Sequence, residues 1–143
     1  MREINRIIIH CTATPPTMDI GVKEIRKWHT DQPPKGRGWS DIGYHYVIRI
    51  NGEVEIGRPL ERIGAHTKGE NRDSIGIAYC GGSNADGEAE DTMFECQEEA
   101  MRELIHTLRM GYEDRHITLH GHNEFADKEC PSFKVSEKFR DIL

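Results

Sequence analysis

Arg6-Ile7-Ile8-Ile9-His10-Cys11 is followed at once by Thr12-Ala13-Thr14-Pro15-Pro16. The first stretch is short, β-branched and uninterrupted, which predicts a buried strand; the prolines end it in a loop. The apolar run closes on a histidine, so the strand carries chemistry at its end. Working outward, residues 22–32 predict a helix with Val22, Ile25 and Trp28 on one face, stopped by Pro33-Pro34. Residues 44–50 and 53–58 flank Asn51-Gly52 and predict a β-hairpin with a two-residue type I′ turn. Residues 74–80 predict a second buried strand, ended by Gly81-Gly82. Thr92-Met93-Phe94-Glu95 predicts a capping box with Thr92 as N-cap. The helix it opens has Gln97, Met101, Leu104, Ile105 and Leu108 on one face and Gly111 as its stop. Residues 116–120 predict the last strand. Ser132 is the expected cap of a final helix whose Val135, Phe139 and Ile142 face the core. Strands and helices alternate irregularly around one hairpin. The expected fold is therefore α/β: a single domain, residues 1–143, with a mixed central sheet and helices packed on it.

Composition bounds the function. The chain has 143 residues, 36% hydrophobic and 31% charged, which suits one domain with one core. Its formal charge is −6 and its pI about 5.7, which argues against a nucleic-acid partner needing a broad basic footprint. Charge is uneven: Lys23, Arg26, Lys27, Lys35 and Arg37 gather early, and Asp86 to Glu99 is acidic. No apolar run approaches the roughly 18 residues of a membrane span, and the N-terminus does not read as a signal peptide. The four cysteines Cys11, Cys80, Cys96 and Cys130 lack the dense spacing of a disulfide scaffold, so free thiols are expected. Cys11, Cys80 and Cys96 are expected to be small buried apolar residues. Monomer is the default.

Three soft donors sit at the ends of apolar runs. His10 closes the first strand, His122 follows Ile117-Thr118-Leu119, and Cys130 lies in Lys128-Glu129-Cys130-Pro131-Ser132-Phe133. Two imidazoles and a thiolate suit zinc, and three protein ligands leave a position open for water, as catalytic zinc sites do. Such an ion lowers the pKa of bound water to about 7 and polarises a carbonyl. An amide is a fitting target, because its hydrolysis passes through an oxyanion that needs donors or positive charge. Lys128, two positions before Cys130, and Tyr44, which begins the hairpin, can supply them. On spacing alone His120 and His116 compete with His122, since they share its parity along the strand.

The local sequences carry more. Ile9 to Thr14, Gly21 to His29, Asp41-Ile42-Gly43-Tyr44-His45-Tyr46, Gly64-Ala65-His66-Thr67-Lys68-Gly69, Asn71 to Ile77, and His122-Asn123-Glu124 through Phe133 resemble, in order, the type 2 N-acetylmuramoyl-L-alanine amidases. The likeness covers almost the whole chain and is strongest to the small phage enzymes of that family; peptidoglycan recognition proteins are more distant relatives. It implies His10, His122 and Cys130 as zinc ligands, against His120, with Tyr44 and Lys128 as catalytic helpers. It places His66 and Asn71 around the substrate groove. It implies Zn2+ as cofactor and peptidoglycan as substrate, cut between the lactyl group of N-acetylmuramic acid and L-alanine. Lys128 matches the active phage enzymes, and recognition proteins that lack the zinc cysteine do not cut, so an enzyme is expected. The protein would be cytoplasmic before release and would act at the cell wall, as an endolysin does, with no separate wall-binding module. The rival readings are a non-catalytic peptidoglycan-binding or protein-regulatory module of the same fold, and a zinc peptidase acting on stem peptides.

Overall fold

The computed structural model describes residues 2–112 and 116–143. Five strands form one sheet in the order β3-β2-β4-β1-β5. They are β1 (Arg6–Cys11), β2 (Tyr46–Ile48), β3 (Val54–Ile56), β4 (Ser74–Tyr79) and β5 (Thr118–Gly121). β1 pairs in parallel with β4 on one side and β5 on the other, β4 pairs in parallel with β2, and only the β2–β3 edge is antiparallel. The expected mixed sheet is present. β1 lies between the middle strand β4 and the edge strand β5, and both of its faces are covered, which is why Ile7, Ile8 and Ile9 are all fully buried. Each such side chain removed from water is worth roughly 1.5–3 kcal/mol before conformational entropy is counted.

The pleat sorts the sheet into two layers. One face joins Ile7, Ile9, Ile75, Ile77 and Tyr79 to Met101, Ile105 and Leu108 of α2 (Glu95–Gly111) and to Val135 and Phe139 at α3 (Val135–Lys138). The other joins Val47 and Cys80 to Val22 and Ile25 of α1 (Val22–Thr30). His10 alternates with Ile9 and Cys11, so it falls on the face opposite α2. Short 3-10 turns follow at His122–Glu124 and Arg140–Ile142.

Local details depart from the sequence expectations. The hairpin closes through a three-residue loop: the Gly52 N–H donates to the Arg49 carbonyl at 2.8 Å, the Arg49 N–H donates to the Glu53 carbonyl at 2.8 Å, and Gly52 alone takes positive φ, +87°. That is a turn followed by a glycine bulge, not type I′. α2 begins two residues later than expected, with Phe94 as N-cap and its N–H held by Gln97 Oε1 at 2.9 Å. Thr92 instead accepts the Gly82 N–H at 2.7 Å. Ser132 caps nothing; its hydroxyl donates to the Gly82 carbonyl at 2.7 Å, and Lys134 precedes α3. Trp28 is 41% exposed, and the buried residues of the nine-residue α1 are Val22 and Ile25. All four cysteines are free thiols, but Cys96 is exposed rather than buried, its thiol 3.4 Å from the Ile50 carbonyl. Among the described residues no helix is long and apolar enough to cross a membrane.

Candidate metal centre and its cleft

His10 is the penultimate residue of β1, and His122 begins the turn immediately after β5, its parallel neighbour. Parallel strands bring their carboxyl ends to the same edge, the usual place for a site in an open α/β sheet. Cys130 reaches that edge on a loop pinned from several sides. The Tyr79 hydroxyl donates to the Pro131 carbonyl at 2.7 Å, Asn123 Nδ2 donates to the Phe133 carbonyl at 3.1 Å, and the Cys11 N–H donates to Cys130 Sγ at 3.2 Å.

The donor atoms converge. His10 Nδ1 lies 3.2 Å from His122 Nδ1 and 3.8 Å from Cys130 Sγ, and all three groups fit within 4.8 Å of one another. Tetrahedral zinc, with Zn–N of about 2.0–2.1 Å and Zn–S of about 2.3 Å, sets N···N edges near ~3.3 Å and N···S edges near ~3.6 Å. The donor set therefore suits that ion in chemistry, and the two edges from His10 match its spacing, with His122 and Cys130 within 4.8 Å of each other. Burial first, then His66, His122 and Lys128, holds His10 well below the usual imidazole pKa; burial and Lys128 lower His122. Both rings are thus neutral at pH 7, the form a metal requires. The Cys11 thiol first, and burial second, push the Cys130 thiol up, while the Cys11 N–H and the Lys128 charge pull it down.

His120, the sequence competitor, is engaged elsewhere. Its Nε2 meets Thr118 Oγ1 at 2.7 Å and its Nδ1 meets Glu124 Oε1 at 2.9 Å. His116 is exposed.

His122 lines a cleft of about 670 Å3 together with Tyr44, His66, Asn71 and Lys128. The Tyr44 ring lies 5.2 Å from that of His10. Burial above all, with Cys130 and Cys11 adding to it, raises the phenol's pKa, so it remains a donor across the working range. His66 is only 8% exposed, and its Nδ1 lies 2.9 Å from His10 Nε2. Asn71 Oδ1 accepts the backbone N–H groups of His66 and Thr67 at 3.0 and 2.9 Å. The oxygen of Asn71 is therefore spent on shaping the loop.

Several contributors were missed by the sequence reading. His29, Arg37 and Trp39 form another wall of the cleft. The Arg37 guanidinium sits 5.0 Å over the Trp39 ring, and His29 Nδ1 accepts the Gly43 N–H at 2.9 Å. The one available signal was the loop after Pro33-Pro34, where two basic residues and a tryptophan cluster between helix and hairpin. Thr67 and Ser74, within reach of His66, carried no signal beyond their neighbourhood.

The sheet thus brings two histidines to the carboxyl ends of the adjacent strands β1 and β5, with Cys130 close by and Tyr44 and Lys128 in the neighbouring cleft. The sequence profile of the N-acetylmuramoyl-L-alanine amidase family matches residues 1–133. The chain belongs to that family and is an N-acetylmuramoyl-L-alanine amidase. Among its relatives are phage endolysins. It is 42% identical to the endolysin of Klebsiella phage KP32 over 134 residues, spanning 94% of this chain and 84% of that protein. It is 42% identical to the endolysin of Escherichia phage T7 over 129 residues, spanning 90% and 81%. In three dimensions it is similar to bumblebee PGRP-SA, with a TM-score of 0.79 at 28% identity, covering 100% of this chain and 84% of that one. It is also similar to the amidase LysC from Clostridium intestinale URNW, with a TM-score of 0.77 at 26% identity, covering 97% and 87%.

Proposed function

We propose that the protein is a zinc-dependent endolysin-type enzyme, residues 1–143 forming one catalytic domain. It hydrolyses the amide between the lactyl group of N-acetylmuramic acid and L-alanine in peptidoglycan. His10, His122 and Cys130 would hold the ion. The single observation that carries this reading is the convergence of the His10, His122 and Cys130 donor atoms within 4.8 Å of one another, with His122 also lining a cleft that presents Tyr44 and Lys128.

A zinc ion in such a site supplies a Lewis acid that activates water and polarises a carbonyl. The chain supplies the rest. Lys128 carries a fixed positive charge on the ligand-bearing loop, where charge develops on the carbonyl oxygen. Tyr44, held neutral by burial, donates a hydrogen bond to the same region. Donors already aimed at the developing charge need no reorganisation during reaction. The mixed polar and aromatic walls, with Arg37, Trp39 and Lys68, suit a substrate that joins sugar to an anionic peptide. The protein would wait in the cytoplasm and act at the wall after release.

The test is digestion of purified sacculi. Intact stem peptides with new L-alanine amino termini should appear, vanish with a chelator and return with zinc. Products cut within the stem peptide, or chelator-resistant cleavage, would overturn the reading.

A further inference from the structure

His66 and Asn71 line the cleft, yet the hydrogen-bond geometry behind the metal centre gives His66 a different task from touching substrate. Ser74 is fully buried, and its hydroxyl donates to the Glu70 carbonyl at 2.7 Å. A carbonyl can only accept, and a hydroxyl has one proton to give. Ser74 Oγ can therefore meet His66 Nε2, 3.4 Å away, only as an acceptor. That puts the His66 proton on Nε2 and leaves Nδ1 bare. His66 Nδ1 in turn lies 2.9 Å from His10 Nε2 and 3.0 Å from Thr67 Oγ1, while Thr67 Oγ1 lies 3.2 Å from His10 Nε2. Whether the bond runs directly or through the threonine hydroxyl, its polarity is the same: His10 donates from Nε2. Its Nδ1 is then the bare nitrogen, and that is the atom facing His122 and Cys130.

We propose that His66, Thr67 and Ser74 form a positioning relay that sets the tautomer and ring orientation of His10, so that Nδ1 is presented to the metal. The inference rests on the zinc reading above. Metal-binding histidines depend on a partner for the second ring nitrogen, and loss of that partner typically costs 10–100-fold in metal affinity or activity. Here the partner is a second neutral imidazole instead of the usual carboxylate or carbonyl. The surroundings are built for it. Gly76 leaves room for the His66 ring: a Cβ on residue 76 would lie 2.5–2.8 Å from its ring atoms. Asn71 fixes the backbone of both His66 and Thr67. The His45 ring packs edge-on at 5.8 Å and is itself fixed, accepting the Gly76 N–H at Nδ1 (3.1 Å) and facing the Arg62 carbonyl with Nε2 (2.9 Å).

Two measurements on the full chain test the relay. The first is long-range 1H–15N NMR of histidine-labelled wild-type protein stripped of metal. It should find the His10 proton on Nε2; a proton on Nδ1 would overturn the proposal without touching the zinc reading. The second is zinc competition against a chromophoric chelator. H66F removes the acceptor but keeps the bulk, and should weaken zinc about 10–100-fold. H66Q, whose amide oxygen can accept from His10, should stay within a few-fold of wild type. T67V should lose less than H66F. A merely structural role for His66 would lower the thermal midpoint of the metal-stripped variants without separating Gln from Phe. Wild-type affinity in a folded H66F overturns the proposal. If H66F fails to fold, T67V and the wild-type tautomer decide. If wild type itself binds no zinc, the metal reading falls and the NMR result alone judges the relay.

Discussion

His10 Nδ1 and His122 Nδ1 lie 3.2 Å apart, although 112 positions separate the two residues in the chain. Nothing local joins them. They meet because β1 and β5 run side by side in parallel with Ile9 opposite Gly121, so His10 and His122 follow at matching positions. Two neutral imidazoles brought that close, with a thiol 3.8 Å from one of them, are arranged for a shared cation more readily than for each other.

Cys130→Ala should abolish stoichiometric zinc binding and muropeptide release together, because two imidazoles remain where three donors stood. The Cys11 N–H also loses its acceptor, so a small additional loss of stability, about 1 kcal/mol, is expected. Metal analysis after dialysis reads the first effect. A dialysed variant that retains one zinc per chain would remove Cys130 from the ligand set.

Lys128→Ala and Tyr44→Phe should each keep zinc but lower kcat by roughly 10²–10³-fold, the usual loss for one donor acting on a developing oxyanion. Because both act in the transition state, KM should change little. Steady-state kinetics on soluble muropeptides, with zinc content measured in parallel, makes the separation. Wild-type turnover in either variant would exclude that residue from the chemistry.

His120→Ala should leave zinc affinity unchanged, since that ring is committed to Thr118 and Glu124. The comparison with His122→Ala, which should lose the metal, distinguishes two histidines that the strand pattern alone cannot separate. Equal losses in the two variants would contradict the assignment.

Gly76→Ala should destabilise the fold by about 1–3 kcal/mol, the range for overpacking a filled core, because the new methyl meets the His66 ring. Zinc affinity should fall with it as His66 is displaced from His10. Denaturant melts with and without metal report both effects. A neutral substitution would mean that the His66 ring has room to yield.

Acid should weaken the protein between about pH 6.5 and pH 4. Burial lowers His29 and His45 to about 4, while the unfolded chain takes up protons from about 6.5 downward. Above that window both states carry neutral rings and these two residues favour neither. Within it the unfolded state binds more protons, so stability falls as pH falls, and the loss is complete once the folded rings protonate. Urea midpoints measured across the window, at constant ionic strength, should slope downward toward acid, and His45→Gln should flatten the slope. A flat wild-type profile would contradict this.

Periodicity made the framework legible. A run such as Ile7-Ile8-Ile9 can be satisfied only by burial on both sides, and residues 74–80 repeat that demand, so the mixed sheet followed. The same logic marked Met101, Ile105 and Leu108 as one face of α2. It failed at Trp28, which is exposed in the last turn of α1, and at Thr92 and Ser132, whose hydroxyls found partners at Gly82 in a distant loop. A local capping pattern cannot register a competing acceptor or donor that arrives from elsewhere in the chain.

The candidate donors were named from residue types at strand ends, with family likeness choosing His122 over His120. Residue chemistry and strand periodicity are local properties, and the sequence by itself determined them: a buried central strand, a mixed sheet, soft donors at its edge. Which nitrogen of His10 faces His122 and Cys130, and that His66 lies behind His10 with Ser74 and Thr67, only the tertiary structure decided. Hydrogen-bond polarity passes through space from group to group, between side chains whose spacing in the chain carries no information about their distance.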